Sequence, residues 1–134
     1  MLEPVIEIRN VFKRYRDKEV LSDLTFTVTR GQTFAFLGRN GAGKTTTIQM
    51  LLGLNRPDAG SVKVLGTDPA VDPLKVRSTV GYLAEDQKMF GWMTVDQLIR
   101  FIAPFYATWD HALAASYVKQ FELPLRTKVR HLSK

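Results

Sequence analysis

Two stretches near the start of the chain alternate between apolar and polar residues. They cover residues 5–11 (VIEIRNV) and 21–28 (LSDLTFTV). Because successive side chains of a strand point to opposite faces, the alternation predicts two half-buried β-strands. An Arg-Gly-Gln turn signal follows, and then the apolar run 33–37 (TFAFL), with glycine on both sides. Such a short, continuous apolar run predicts a strand that is buried on both faces.

Helical spacing of apolar residues begins after a glycine-rich loop. Ile48, Leu51 and Leu52 predict a helix over 44–54. The turn 57–60 (PDAG) and a short strand over 61–65 follow.

The second half of the chain is mainly helical in pattern, after a brief predicted strand at 80–83. Thr94 begins a helix with a capping-box-like pattern that ends at Gln97. Asp110 caps a further helix that runs to about Phe121. This order of elements predicts an α/β domain that starts with an antiparallel β unit and continues into a helical region.

Composition is that of an ordinary globular protein. The 134 residues are 45% hydrophobic and 24% charged, enough for about one domain with a buried core. The sequence has no cysteine, which excludes disulfides and cysteine-based metal sites. It has no run of about 20 apolar residues and no signal-like start, so we expect a cytoplasmic protein.

The net charge of +6 comes from 19 Lys+Arg against 13 Asp+Glu. A basic balance can indicate nucleic acid, an anionic membrane surface or a phosphate ligand. The basic residues are scattered rather than gathered on one helix, which is typical of solvated faces. We therefore expect no nucleic-acid partner.

The residues with the clearest chemistry are 38–45 (GRNGAGKT), which match the P-loop pattern GxxxxGK[ST]. Phosphate oxygens must approach backbone N–H groups closely, and a Cβ would obstruct them at several positions. Glycine also permits the φ values that turn successive N–H groups inward around an anion. The helix that starts near Gly43 adds further N–H groups and the positive end of its dipole.

Three side chains complete this predicted phosphate site. Lys44 supplies a mobile cation for the β- and γ-phosphates, and the Thr45 hydroxyl is a hard oxygen ligand that suits Mg²⁺. The Thr46 hydroxyl can reach the α-phosphate. The predicted ligands are ATP and Mg²⁺, and the predicted binding residues are Gly38, Arg39, Asn40, Gly41, Ala42, Gly43, Lys44, Thr45 and Thr46.

Over its whole length the sequence resembles the nucleotide-binding subunit of ABC transporters. Segment 6–11 and the Lys13-Arg14-Tyr15 that follows are similar to the family's first strand and its adenine-stacking aromatic. Segments 21–26 and 31–32 resemble the family's run into the P-loop strand, and 57–60 with Gly66 resemble the turn and strand after its first helix. The resemblance implies that Tyr15 stacks on adenine and that the fold is an ABC-type P-loop NTPase domain.

The Q-loop of that family, which contacts the metal or the attacking water, corresponds to the region 81–87. Ala84-Glu85 replaces the usual Pro-Gln there. The resemblance places Glu85 with Lys44 in the catalytic site and with Thr45 on Mg²⁺, although Glu85 adds negative charge near the γ-phosphate. Gln87 is an alternative, two residues later.

The resemblance also implies partners and a place in the cell. Segments 105–110 (FYATWD) and 121–124 (FELP) look like the energy subunits of bacterial exporters. A subunit of this kind binds transmembrane permease subunits and a second nucleotide-binding subunit, and lies on the cytoplasmic face of the cell membrane. The helical subdomain would cover about 93–131.

The last residues, Leu132-Ser133-Lys134, match the start of the family's signature. In that family, an apolar strand closed by Asp-Glu supplies the metal-binding acid and the general base. No apolar run followed by Asp-Glu occurs in this sequence, so both residues are missing from it. Phosphoryl transfer to water needs positioned charge and an oriented nucleophile. We expect residues 1–134 to be the N-terminal part of a nucleotide-binding domain, inactive by itself.

Three other functions compete with the transporter ATPase. A soluble ABC-type ATPase of translation or DNA repair would keep the fold, but long insertions are lacking. The second alternative is a different P-loop class, a kinase or a GTPase. A GTPase would show Asn-Lys-x-Asp for guanine, which this sequence lacks. A non-catalytic nucleotide-binding module remains the third alternative.

Overall fold

The computed structural model describes residues 3–39, 41–84 and 90–132. They fall into two compact units, Met1–Val80 and Gly81–Lys134. The strands are β1 (Pro4–Tyr15), β2 (Lys18–Thr29) and β3 (Ala59–Val64). The α-helices are α1 (Lys44–Leu51), α2 (Pro73–Arg77), α3 (Val95–Ile102) and α4 (His111–Gln120). Short 3-10 turns cover Ala103–Phe105 and Val129–His131.

The first unit is built on an antiparallel sheet of order β2-β1-β3. Ile8 lies in the central strand, opposite Phe26 of β2 and Val62 of β3. Both strands predicted from alternation are present, as is the short strand after the first helix. The prediction of an antiparallel β start is confirmed.

One apolar cluster joins the sheet to α1. Its strand residues come from all three strands, and Met50 comes from the helix. All are 5% exposed or less: Ile8, Val11, Leu21, Met50 and Val62. Burying a side chain of this size contributes about 1.5–3 kcal/mol, so Met50 holds α1 firmly against the sheet. The loop that precedes α1 is thereby positioned as well.

The predicted buried strand at 33–37 was wrong. These residues form no strand, and Phe34 and Leu37 are 47% and 87% exposed. A strand needs a hydrogen-bonded neighbour, and within the described ranges no segment pairs with this one. Side chains hold it instead, because the Phe34 ring stacks on Phe26 with centroids 5.0 Å apart.

The strand predicted at 80–83 was also wrong, for the same reason. Tyr82 and Leu83 are exposed, and their backbone pairs with no other described strand. Helix α1 ends at Leu51 rather than at residue 54. The short helix α2 was not predicted, although Asp72 caps it and Pro73 occupies its first turn, which is a recognised start signal.

In the second unit the helix starts are those predicted. Thr94 accepts a hydrogen bond from the Gln97 backbone while the Gln97 side chain returns to the Thr94 backbone, a full capping box. The Asp110 side chain accepts from the Leu113 backbone at the start of α4. Of the helices in the described part of the chain, none combines the length and the apolar character that crossing a membrane requires.

Candidate functional site

The P-loop connects the exposed segment 33–37 to α1. Gly41 and Gly43 both have φ near +83°, in the left-handed region, which glycine adopts without a Cβ penalty. Gly43 is the N-cap of α1, whose first residue is Lys44. The predicted glycine turn and the predicted start of the helix are therefore both present.

Gly43 lies so close to β2 that no larger residue fits. A Cβ at this position would be 2.4 Å from Leu21 Cδ2 and 2.9 Å from the Val20 carbonyl oxygen. Leu21 belongs to the buried core and Val20 is strand backbone, so neither yields easily. The end of the loop is thus seated directly on the start of β2.

The N-terminal end of α1 presents backbone donors. The Thr47 N–H donates to the Gly43 carbonyl at 2.8 Å, and the Thr47 hydroxyl donates to the same oxygen at 2.9 Å. The N–H groups of the first turn, at residues 44–46, have no partner within the helix. No side chain caps this helix, and its first turn contains no acid. An anion is the natural partner for such a terminus.

The Lys44 side chain folds back over the loop. Its ammonium donates to the Gly38 carbonyl and, at 3.0 Å, to the Arg39 carbonyl. An ammonium has three N–H donors, so one more can meet a ligand while the loop carbonyls hold the other two. Thr45 is exposed at the same end of the helix.

Lys18 is a further basic residue at this loop that the sequence did not identify. Its ammonium lies 4.0 Å from the position that a Cβ on Gly41 would occupy. Lys18 is also the partner of Tyr15 across the β1–β2 hairpin. The hairpin end and the P-loop therefore meet, and Lys18 lies where they do. Lys18 is far from the motif in sequence, so only the packing of β2 beside the loop brings the two together.

Tyr15 ends β1, and 44% of its surface is exposed. Its hydroxyl accepts a hydrogen bond from the Asn55 side-chain amide. The Lys13 ammonium lies 5.4 Å from the centroid of the Tyr15 ring, within range of a cation–π interaction. The predicted adenine-stacking aromatic is thus held by two residues for which no role was predicted.

Lys13 is fixed in turn by the segment after α1. Its ammonium donates to the Asp58 carboxylate and to the Arg56 carbonyl, each at 2.8 Å. The Asp58 carboxylate also accepts from the Arg14 backbone N–H at 2.8 Å. The hydrogen bond from Lys13 and the one from Arg14 hold the pKa of Asp58 below its usual value of 3.8.

Several predicted residues lie outside the described part of the chain. They are Asn40 of the P-loop, Glu85 and Gln87 of the Q-loop region, and Ser133. Within residues 3–39, 41–84 and 90–132, no three His, Asp or Glu side chains come together as a metal site.

The described loop residues suit a triphosphate. Gly41 and Gly43 have the left-handed φ values that the turn of the loop requires, and a Cβ on Gly43 would collide with β2. The ammonium groups of Lys44 and Lys18 place positive charge at this loop. The Thr45 hydroxyl is the hard oxygen that Mg²⁺ prefers, and Mg²⁺ takes few protein ligands when phosphates supply the rest. Together, the glycine loop and the helix that starts at its lysine define a P-loop nucleotide-binding protein.

Comparison with known proteins specifies which kind. The ABC transporter family matches residues 21–134, and the chain belongs to that family. The probable multidrug ABC transporter ATP-binding protein YbhF of Escherichia coli (strain K12) is 39% identical over 104 residues, covering 78% of this chain and 18% of that protein. Nod factor export ATP-binding protein I of Burkholderia lata is 46% identical over 80 residues, covering 60% and 26%.

A solved structure described as the ATP binding subunit of an ABC transporter has the same fold. It matches with a TM-score of 0.85 and 30% sequence identity, over 97% of this chain and 56% of that one. The chain is thus similar to ATP-binding subunits, among them export proteins, and spans less than two thirds of their length.

Proposed function

We propose that the protein is the ATP-binding subunit of an exporter, coupling the binding and hydrolysis of ATP to transport across a membrane. Family membership supports nucleotide binding, and relatives with multidrug and Nod factor export in their names favour export. The observation that carries the proposal is the glycine loop on β2, with Lys44 folded over it at the start of α1.

Each residue of the site has a separate task in this proposal. The Tyr15 ring stacks on the adenine. The backbone N–H groups at 43–46 hold phosphate oxygens, with the Lys44 ammonium on the β- and γ-phosphates and the Thr46 hydroxyl on the α-phosphate. Lys18 adds a second cation beside Gly41. Bound Mg²⁺ would neutralise charge on the phosphate oxygens, and the Thr45 hydroxyl would hold it.

The remaining parts of the domain follow from the family resemblance. The Q-loop region is 81–87, where Glu85 acts near the metal, and the helical subdomain covers about 93–131. Transmembrane permease subunits and a second nucleotide-binding subunit are the proposed partners, at the cytoplasmic face of the membrane.

Catalysis needs more than residues 1–134 contain. This sequence has no apolar run ending in Asp-Glu, and a positioned general base contributes typically about 10²–10⁴-fold. We propose that these residues supply the cradle for Mg·ATP, but that by themselves they bind it weakly or not at all and do not hydrolyse it. Lys44 and Thr45 cannot replace a base, because a protonated ammonium has no lone pair to accept a proton and a neutral hydroxyl is only a weak base.

A calorimetric titration of the full-length gene product with Mg·ATP tests the proposal. Lys44→Ala removes the ammonium, and hydrogen bonds to charged groups contribute about 1.5–3 kcal/mol, so affinity should fall about 10- to 150-fold. Lys63→Ala, at an exposed position in β3, is the matched control for loss of one positive charge. Equal affinity of the Lys44→Ala and Lys63→Ala variants would show that Lys44 does not contact the phosphates, which contradicts the proposed site.

A further inference from the structure

Tyr15 is covered on one side by a cation. Lys13 is nearly buried, with 12% of its side chain exposed, although it carries a charge. Its ammonium faces the Tyr15 ring at 5.4 Å, while Tyr15 itself remains 44% exposed. The surface of the ring that stays accessible therefore lies away from Lys13.

The ammonium is held in place by its other contacts. It donates to the Asp58 carboxylate and to the Arg56 carbonyl, and an ammonium has three donors in all. Asp58 is anchored through its own backbone, because its N–H donates to the Phe12 carbonyl at 2.9 Å. Lys13 thus cannot leave the ring without breaking both hydrogen bonds.

The hydroxyl end of the ring is fixed by a separate hydrogen bond from the same segment. The Arg56 N–H donates to the Asn55 side-chain oxygen at 2.8 Å, which orients the amide so that its NH₂ group donates to the Tyr15 hydroxyl. The segment 55–58 therefore holds Tyr15 at two points, the hydroxyl and one ring face.

We propose that Lys13 and Asn55 are positioning residues that orient Tyr15 so that only its face opposite Lys13 stacks on the nucleobase. The inference rests on the proposed function, and it adds which residues orient the ring that binds the base. In this proposal Lys13 acts through the Tyr15 ring and not through a contact with phosphate. A ring with both points fixed loses little freedom on binding, which raises affinity for the base.

The test compares ATP with tripolyphosphate, which has the phosphates but no base. In the full-length gene product, Lys13→Met should weaken ATP binding about three- to thirty-fold, the range of a partly desolvated cation–π contact. Tripolyphosphate affinity should stay unchanged, and Lys13→Arg should restore most of the ATP affinity, because a guanidinium also lies on aromatic faces. Lys63→Met on β3 is the charge-matched control.

A double-mutant cycle separates positioning from direct contact. If Lys13 acts through Tyr15, Lys13→Met should cost nothing further in a Tyr15→Ala background. Two results would overturn the inference. One is a loss of tripolyphosphate affinity in a folded Lys13→Met variant, and the other is a loss of ATP affinity on Lys13→Met that is the same in the Tyr15→Ala background as in the wild type.

Asn55→Ala leaves both hydrogen-bond partners of Lys13 in the sequence and provides a second test if Lys13→Met fails to fold. It should lower ATP affinity but not tripolyphosphate affinity, and Tyr15→Phe should reproduce its effect. An Asn55→Ala variant that binds ATP like the wild type would overturn the inference while leaving the proposed function intact. Wild-type protein that binds neither ligand would overturn both.

Discussion

Replacing Gly43 with alanine should damage the P-loop and cost more stability than the same change at Gly31, which also has a positive φ. The added Cβ would meet Leu21 Cδ2 at 2.4 Å and the Val20 carbonyl oxygen at 2.9 Å. The Leu21 side chain is only 5% exposed and cannot swing into solvent, and moving Val20 requires moving β2 itself.

Two costs add at this position. A left-handed φ costs an L-residue roughly 1–2 kcal/mol, and forcing an extra carbon into a packed site costs about 1–3 kcal/mol. Together they give about 2–5 kcal/mol of lost unfolding free energy for Gly43→Ala. Gly31 is the matched control, because its φ is +80° and a Cβ added there would have no other atom within 4 Å. Gly31→Ala should therefore lose only about 1–2 kcal/mol.

Urea unfolding of both variants, monitored by far-ultraviolet circular dichroism, measures the loss of unfolding free energy in each. We expect Gly43→Ala to be less stable than Gly31→Ala by about 1–3 kcal/mol. We also expect weaker Mg·ATP binding for Gly43→Ala alone, because the loop must shift off β2. Equal stability of the two variants would refute the claim that the loop is seated on Val20 and Leu21.

Three further predictions concern the rest of the site. Tyr15→Ala should weaken ATP binding by about 1–3 kcal/mol, the typical value of one stacked base, and leave tripolyphosphate binding unchanged in calorimetry; an equal loss for both ligands would show that Tyr15 does not touch the base. Lys18→Ala should weaken tripolyphosphate and ATP alike, with a smaller salt dependence than wild type, whereas unchanged binding would place Lys18 outside the site. The hydrogen bond from Lys13, and then the one from the Arg14 N–H, lower the pKa of Asp58 in the folded state below the unfolded value of 3.8. The ionised carboxylate therefore stabilises the fold fully above pH 3.8, and this stabilisation is lost as the pH falls through the folded pKa. The difference in unfolding free energy between wild type and Asp58→Asn should shrink over that acidic range, and a difference that grows there would contradict the ion pair.

Much of the P-loop side of the site could be predicted from the sequence, because its chemistry is local. A glycine pattern followed at once by Lys44 and Thr45 fixes a turn, a helix start and a cation together. The alternation that predicted β1 and β2 is local in the same way, and so is the capping box at Thr94.

The parts that were missed depend on contacts between segments distant in sequence. Lys18 reaches Gly41 only because β2 runs beside the loop, and Asn55 reaches Tyr15 only because the chain after α1 returns to β1. The strand predicted over 33–37 failed because apolar character alone does not provide a pairing partner. Periodicity contains no information on which segments become neighbours.

Binding of the ATP phosphates to the backbone of the loop at the start of α1 is the central claim. Amide proton–nitrogen NMR of the isotope-labelled gene product, titrated with ATP, tripolyphosphate and adenosine, examines that backbone directly. We expect the amide signals of Gly43, Lys44, Thr45 and Thr46 to shift strongly with ATP and with tripolyphosphate but not with adenosine. Amide signals at 43–46 that stay in place at saturating ATP would contradict the claim.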